Sequence, residues 1–215
     1  MRDFKVIGLM SGSSLDGLDI ACVNFSHDNK RWFFQIVEAG NVPYSEEWKN
    51  KLSEAFNKNE SELKDLDIEY GKYIGSVTKR FIDKYELEPK LIASHGHTIF
   101  HIPENSYTLQ IGDGQEIANA TGITTINDFR TEDVSKGGQG APLVCFADEK
   151  WWRAKYKNDN GDYKNFAIQN IGGISNVTVV SNDFDTFGFD NGCGNIMVDY
   201  CTQKFFGQKF DKDGE

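Results

Sequence analysis

Four glycine-centred turns carry residue types that could contact a phosphate. Glycine leaves the backbone amide open to an anion, because no side chain stands in the way. The first turn adds two serine hydroxyls, which can donate to phosphate oxygens, and it adds Asp16 and Asp19, whose carboxylates can hold Mg²⁺ directly or through water. The turns are residues 11–17, 137–140, 172–173 and 192–195.

None of these turns contains a complete nucleotide-binding motif. No Gly-Lys-Ser/Thr follows any of them, and Gly192-x-Gly194 is followed by Met197 where a GxGxxG motif needs its third glycine. A plain β-hairpin turn is therefore the alternative for each turn taken singly. However, strand–turn–strand units are predicted at both 5–25 and 166–180, a weak internal repeat that would suit a nucleotide clamped between two domains.

Two charged residues follow predicted strands. Ligands bind outside the carboxyl ends of strands in α/β sheets, so Asp190 could accept a proton from a sugar hydroxyl or a water. The alternative is an Asx-turn, in which the carboxylate binds its own backbone. Arg130 could bind a substrate carboxylate through two parallel hydrogen bonds. The alternative role for Arg130 is a salt bridge with Asp128 or Asp133.

Three histidines, His95, His97 and His101, lie close together in the sequence. His95 and His97 would share one face of a strand. No cysteine or well-spaced carboxylate completes a metal site, and Gly96 and Pro103 favour a loop, so we expect no metal here. A sugar-contacting or hydrogen-bonding pair is the favoured interpretation.

The composition excludes several classes of protein. The chain has 215 residues, a net charge of −10 and 39% hydrophobic residues, which is typical of a soluble globular protein. It has no basic stretch, so we expect no nucleic-acid partner. We also expect no signal peptide and no membrane span. The four cysteines lack CxxC spacing, which argues against a disulfide framework and favours a reduced, cytoplasmic setting.

Predicted strands and helices alternate along the chain, which indicates an α/β fold. Strands are predicted at residues 5–10, 18–25, 32–39, 91–94, 107–112, 123–129, 166–170, 176–180 and 186–189. Helices are predicted after Tyr44 with Ser45 as N-cap, and at 61–85, 116–121, 143–155 and 195–206. The helix at 61–85 has apolar residues three to four apart that predict one buried stripe, namely Leu63, Leu66, Tyr70, Ile74, Val77, Phe81 and Tyr85. The Gly-rich segment 128–142 is the candidate hinge between two domains.

Five segments of the chain resemble, in chain order, the signature segments of the anhydro-N-acetylmuramic acid kinase family. They are residues 8–19, 94–99, 128–143, 170–176 and 188–195. The resemblance implies the two-domain actin-like ATPase (ribonuclease H-like) fold, with mixed central sheets. It implies that residues 1–127 form domain I with the first phosphate loop. Residues 128–215 would be the first part of domain II, with the second phosphate loop and the catalytic aspartate.

The resemblance also implies an activity and a set of site residues. The family uses ATP and Mg²⁺ to open 1,6-anhydro-N-acetylmuramic acid hydrolytically and to phosphorylate it to N-acetylmuramate 6-phosphate in cell-wall recycling. Asp190 matches the general base that activates the attacking water. His97, Thr98 and Arg130 match the substrate side. The residues that match the nucleotide-binding positions are Gly12, Ser13, Ser14, Leu15, Asp16, Gly17, Leu18, Asp19, Gly172, Gly173 and Asn176.

The chain departs from the family pattern in residues and in length. Ser13 replaces a usual Thr, His97 a usual Gln and Cys193 a usual Pro. Family members run well beyond residue 215, so we expect an N-terminal portion with an incomplete second domain, no adenine-contacting residues and no kinase activity of its own. The alternatives are a non-catalytic sugar- or nucleotide-binding module and another sugar or acyl-group kinase of the superfamily. The oligomeric state stays open, with a homodimer as one alternative.

Overall fold

The structure is a computed structural model that describes residues 2–27, 32–155, 165–212 and 214. The chain divides into two compact units, Met1–Gly140 and Ala141–Glu215. Both units combine helices with a sheet, and the sheet of the first unit contains parallel and antiparallel pairs. The predicted α/β class with a mixed central sheet is therefore confirmed.

The first unit is built on a six-stranded sheet. Its strands are β1 (Arg2–Ser11), β2 (Gly17–His27), β3 (Trp32–Pro43), β4 (Leu91–Ile102), β5 (Tyr107–Ile111) and β6 (Thr125–Ile126). The first three form an antiparallel meander, and β4 lies parallel to β1 on its other side. The order is β3-β2-β1-β4-β5, with β6 pairing in parallel with β4. A meander followed by a crossover into a parallel strand agrees with the expected ribonuclease H-like architecture.

Helices of the first unit begin where the sequence provides caps. They are α1 (Glu46–Ser53), α2 (Glu60–Lys84), α3 (Gly114–Thr121) and α4 (Thr131–Ser135). Ser45 Oγ accepts a hydrogen bond from Trp48 N, as predicted for α1, and Asn59 with Glu62 forms a capping box on α2.

The core of the first unit lies between α2 and the sheet. The predicted apolar stripe of α2 is buried, and it packs in one cluster with the inward residues of the strands. Its buried members are Leu63, Leu66, Tyr70, Ile74, Val77 and Phe81. Because this stripe recurs every three to four residues, one face of the helix covers the sheet.

The second unit repeats the meander of the first. Its strands β7 (Phe166–Ile171), β8 (Ile174–Val180) and β9 (Phe187–Cys193) form an antiparallel three-stranded sheet. Its helices are α5 (Val144–Lys155) and α6 (Asn195–Phe206). In both units a glycine turn joins the first two strands, so the predicted repeat of strand, turn and strand is confirmed. No helix of the described residues has the length and hydrophobicity needed to cross a membrane.

Several predicted strand boundaries were wrong, three of them near candidate site residues. β4 continues through Gly96 to Ile102, because β5 pairs with its second half. β9 continues to Cys193 along β8, so Asp190 lies inside a strand and not at its end. In contrast, the strand predicted at 123–129 is reduced to Thr125–Ile126.

The segment 128–140 belongs to the first compact unit, whereas a domain boundary is predicted at residue 128 from the sequence. Within this segment the structure has the short helix α4, whose Val134 is buried, and Arg130 Nη1 donates to Gly140 O at 2.5 Å. These contacts explain why the division between the units falls at Gly140. The assignment of the two units to domains I and II of the family stays a prediction.

Candidate active site

The first glycine turn joins β1 to β2 and leaves its polar side chains at the surface. Leu15 adopts a left-handed conformation with φ 56° and packs against the core, while its N–H bonds to Gly12 O at 3.3 Å. Ser13, Ser14 and Asp16 are exposed, and Ser14 Oγ donates to Asp16 Oδ1 at 2.7 Å. The turn therefore offers hydroxyl and carboxylate groups to a ligand.

The residues after this turn are held tightly by β3. A Cβ on Gly17 would lie 2.5 Å from Asn41 Oδ1 and 2.6 Å from Val42 O, so only glycine fits at this position. Asn41 Nδ2 also donates to Asp19 Oδ1 at 2.9 Å, and Asp19 is exposed. Leu18, in contrast, has its side chain in the core, which leaves only its backbone for the predicted nucleotide contact.

A chain of buried polar groups lies at the base of the turn. Tyr44 OH donates to Ser11 Oγ at 2.8 Å and is 2.5 Å from Tyr70 OH, while Ser11 Oγ lies 2.9 Å from His97 Nδ1. Burial lowers the pKa of His97 to about 4, with a smaller contribution from nearby His95. His97 is therefore a neutral imidazole at neutral pH.

Arg130 is bound to the adjacent histidine of β4. Its Nε and Nη2 lie 3.0 and 2.8 Å from His95 Nε2. Because Nε2 accepts from Arg130, the imidazole proton lies on Nδ1, which donates to Gly96 O at 3.0 Å. Burial lowers the pKa of His95, and the charge of Arg130 lowers it further. Thr98, the residue after His97, is half-buried opposite Gln110 of β5.

The carboxylates near Arg130 bind backbone N–H groups. Asp128 Oδ1 accepts from Thr131 N at 3.2 Å, and Asp133 Oδ2 accepts from Gly140 N at 2.7 Å. Both bonds hold the 128–140 segment in its fold, and they place the Arg130 guanidinium beside β4.

In the second unit, the Gly172–Gly173 turn is fixed on the beginning of α6. Asn195 N donates to Gly172 O at 2.7 Å, and Gly194 N donates to Gly173 O at 2.9 Å. A Cβ on Gly194 would lie 2.3 Å from Gly172 O, so this approach requires glycine. The turn is thus held in place through its carbonyl groups.

Asp190 is exposed in β9, opposite Asn176 of β8. Asn176 Oδ1 accepts from Asn170 Nδ2 at 3.4 Å, and the next side chain along β9, Asn191, exchanges hydrogen bonds with Gln169. Within the described parts of the chain, no group binds the Asp190 carboxylate. A carboxylate of this kind is open to a water or a hydroxyl.

Each unit thus brings part of the predicted site together. In the first unit, Ser11 pairs with His97 where β1 ends and its parallel pairing with β4 stops, beside the glycine turn. In the second unit, Gly172, Gly173, Asn176 and Asp190 lie around the β7–β8 turn and the adjoining part of β9.

Sequence reasoning missed Tyr44, Tyr70 and the pairing of His95 with Arg130, and it placed Ser11 in the first turn without its partner His97. Tyr70 was interpreted as part of the core stripe, and its hydroxyl partner lies 26 residues away. No local pattern pointed to Tyr44, because its burial, and with it the need for a hydroxyl partner, appears only in the packed structure.

The side chains of the first turn are of the types that bind a magnesium nucleotide. Mg²⁺ prefers carboxylate oxygens and water, and Asp16 and Asp19 present exposed carboxylates beside two serine hydroxyls. Across the described residues, no group of three or more His, Cys, Asp or Glu is arranged to hold a metal by protein ligands alone.

The two units define an α/β protein in which a glycine turn joins the first two strands of each meander. The chain belongs to the anhydro-N-acetylmuramic acid kinase family, whose family model matches residues 4–215. The anhydro-N-acetylmuramic acid kinase of Caldanaerobacter subterraneus subsp. tengcongensis is 39% identical over 98% of this chain and 56% of its own length. That of Bacillus thuringiensis (strain Al Hakam) is 36% identical over 100% of this chain and 58% of its own length. The chain spans about half the length of the curated relatives it matches.

Among solved structures, the crystal structure of the Ppx/GppA family member of Aquifex aeolicus matches with a TM-score of 0.46. It is 12% identical, and the match covers 96% of this chain and 56% of that one.

Proposed function

We propose that the chain carries the phosphate-binding turns and the catalytic base of an ATP-dependent anhydro-N-acetylmuramic acid kinase. The observation that carries this proposal is the family match over residues 4–215. The position of the family motifs in exposed turns and strands of the two units supports it.

The proposed reaction has two linked steps. Water attacks the anomeric carbon of 1,6-anhydro-N-acetylmuramic acid while Asp190 takes its proton, and the bond from that carbon to O6 breaks. O6 then receives the γ-phosphoryl group of ATP, so that the products are N-acetylmuramate 6-phosphate and ADP. The exposed Asp190 carboxylate supports this role, because a general base must be free to reach the proton it removes.

The remaining predicted residues have binding roles in this proposal. Residues 12–19 and the Gly172–Gly173 turn with Asn176 contact the phosphates of ATP. Asp16 and Asp19 would hold Mg²⁺, which neutralises phosphate charge when it is bound. His97, Thr98 and Arg130 contact the sugar.

A second candidate is a sugar- or nucleotide-binding module without turnover, which the exposed hydroxyl and carboxylate groups of the first turn would also serve. The two candidates differ in whether ADP is released when the sugar is present.

The test compares two proteins in a coupled ADP-release assay with ATP·Mg and the anhydro sugar. One is the 215-residue chain. The other is the same chain joined to the part of the Caldanaerobacter relative that it does not match, called the joined protein below. We expect turnover by the joined protein only, and ATP binding by the 215-residue chain no tighter than about millimolar (roughly −4 kcal/mol). An inactive joined protein that still binds the sugar would favour the binding module.

A further inference from the structure

Four polar side chains form one hydrogen-bonded chain beneath the first glycine turn, and they come from four parts of the first unit. Tyr70 lies on α2, Tyr44 directly follows β3, Ser11 ends β1 and His97 lies in β4. Their exposed fractions are 0, 4, 3 and 5%. Burying polar groups costs free energy unless each finds a partner, so these four side chains depend on one another.

With Tyr44 as the donor to Ser11, one arrangement of protons leaves no hydroxyl proton of this chain without an acceptor. Tyr44 OH donates its single proton to Ser11 Oγ, so its oxygen accepts from Tyr70 OH at 2.5 Å. The proton of Ser11 is then left for His97 Nδ1 at 2.9 Å. A neutral imidazole that accepts at Nδ1 carries its proton on Nε2.

We infer that Tyr70, Tyr44 and Ser11 are positioning residues that hold His97 as a neutral imidazole protonated on Nε2, so that His97 offers the sugar one hydrogen-bond donor and no charge. The part of this inference that concerns the sugar rests on the proposed function. The part that concerns the tautomer rests on the hydrogen bonds alone.

The inferred state has a simple chemical equivalent. A glutamine at position 97 could accept from Ser11 with its carbonyl oxygen and donate through its amide, whereas a leucine could do neither. His97→Gln is therefore the conservative variant, and His97→Leu removes both functions at similar size.

The tautomer is tested in the 215-residue chain, labelled with ¹⁵N-histidine, by two-bond ¹H–¹⁵N correlation spectra at neutral pH. The signals of His97 are assigned by their loss in His97→Gln. We expect the Nε2-protonated pattern in the wild type. Ser11→Ala removes the donor to Nδ1 and should produce a mixture of tautomers, and Tyr44→Phe should shift the same signals by freeing the Ser11 hydroxyl to turn.

Tyr73→Phe is the matched control. Tyr73 belongs to the same aromatic cluster, with its ring 6.1 Å from that of Tyr70, and we expect no change in the His97 signals. Nδ1-protonated or charged His97 in the wild type would overturn the inference, and so would an unchanged pattern in a folded Ser11→Ala. Because the wild-type spectrum alone can refute the tautomer, the test does not depend on the folding of any variant.

The sugar contact is tested separately by adding 1,6-anhydro-N-acetylmuramic acid. We expect the Nε2 signal of His97 to move on binding. In the joined protein, His97→Leu should raise the sugar KM roughly three- to tenfold, the value of one neutral hydrogen bond, and His97→Gln should raise it less. If His97 is protonated on Nε2 but its Nε2 signal does not move when the sugar binds, the role of His97 as a donor to the sugar is refuted and the tautomer assignment stands. Failure of the joined protein to turn over would count against the proposed function and leave the tautomer result standing.

Discussion

Asp190 is the residue on which the proposed hydrolysis depends most directly. In the joined protein, Asp190→Asn should lower turnover by at least ~100-fold, the scale of general-base catalysis. ATP binding should remain, because the substitution keeps the size of the side chain. Asp185→Asn, which changes another exposed carboxylate of the second unit, is the control in the same ADP-release assay. Near-wild-type turnover of Asp190→Asn would refute the assignment.

Arg130 has two possible roles that a choice of sugar can separate. Its guanidinium contacts His95 and Gly140 O, and in the proposal it also binds the lactyl carboxylate. Lysine cannot reproduce this planar fork, so Arg130→Lys should raise the KM for the anhydro sugar while the KM for ATP stays constant.

The control for Arg130 is 1,6-anhydro-N-acetylglucosamine, which lacks the lactyl carboxylate. Arg130→Lys should change its kinetics little if the guanidinium acts on the carboxylate. An equal loss with both sugars would indicate that Arg130 only anchors the 128–140 segment to β4.

His97 gives the folded chain a specific dependence on pH. Its pKa is about 4 in the folded state against an ordinary 6.5, so between these values the unfolded state takes up a proton that the folded state does not. The free energy of unfolding should therefore be highest above about pH 6.5 and should fall by roughly 3 kcal/mol as the pH decreases to about 4. The lowered pKa of His95 acts in the same direction.

Urea unfolding at several pH values would measure this dependence. His97→Gln should lack the part of this pH dependence that comes from His97. Its free energy of unfolding should therefore rise relative to that of the wild type as the pH falls from about 6.5 to about 4. His101→Gln controls for the loss of one imidazole, because His101 lies at the surface. Parallel pH profiles for wild type and His97→Gln would contradict the assigned burial of the imidazole.

At the scale of elements, two glycines of the first turn have different roles: Gly17 is required by the packing of the fold, and Gly12 is proposed to contact the ligand. Gly17→Ala would place a methyl group 2.5 Å from Asn41 Oδ1, and such overpacking should cost about 1–3 kcal/mol of unfolding free energy. A Cβ on Gly12 meets nothing closer than 3.4 Å. Gly12→Ala should therefore keep most of the stability but weaken binding of ATP·Mg, as calorimetry would show. Equal stability of the two variants would contradict the close packing of β3 on Gly17.

The helices could be predicted from the sequence more fully than the strands. The apolar period of α2 and the Ser45 cap of α1 are local signals, and they placed α2 and the beginning of α1 within a residue. Gly96 favoured a loop, yet β4 passes through it because β5 supplies hydrogen-bond partners from elsewhere in the chain. Strand length therefore depended on pairing that no local pattern records.

In the candidate site, too, the local features could be predicted from the sequence and the long-range contacts could not. Glycine turns and charged strand residues are visible in sequence, and their positions in the two units were expected. The links from Tyr44 to Ser11 and from Arg130 to His95 join residues 33 and 35 apart, and only the packed structure brings these partners together.

At the scale of the whole molecule, the second unit exposes large apolar side chains. On α6, Phe205 and Phe206 are 68 and 75% exposed, and patches of this kind promote association. We predict concentration-dependent self-association of the 215-residue chain in sedimentation velocity, which Phe206→Ser should reduce. Phe56→Ser removes a similarly exposed ring from the first unit, 60% exposed, and should not. A monodisperse monomer at all concentrations would refute the prediction.

The position of β1 in the first sheet sets an order of events during synthesis on the ribosome. One edge of β1 is paired by β2, the next strand to be made, but its other edge waits for β4, which begins at Leu91. Since chains emerge from the N-terminus, the nascent protein carries an open edge on its central strand until β4 leaves the exit tunnel. The meander of the second unit has no such delay, because each of its strands pairs with the one just before it. The stage most exposed to mispairing and to capture by chaperones is therefore the interval between the emergence of β2 and that of β4.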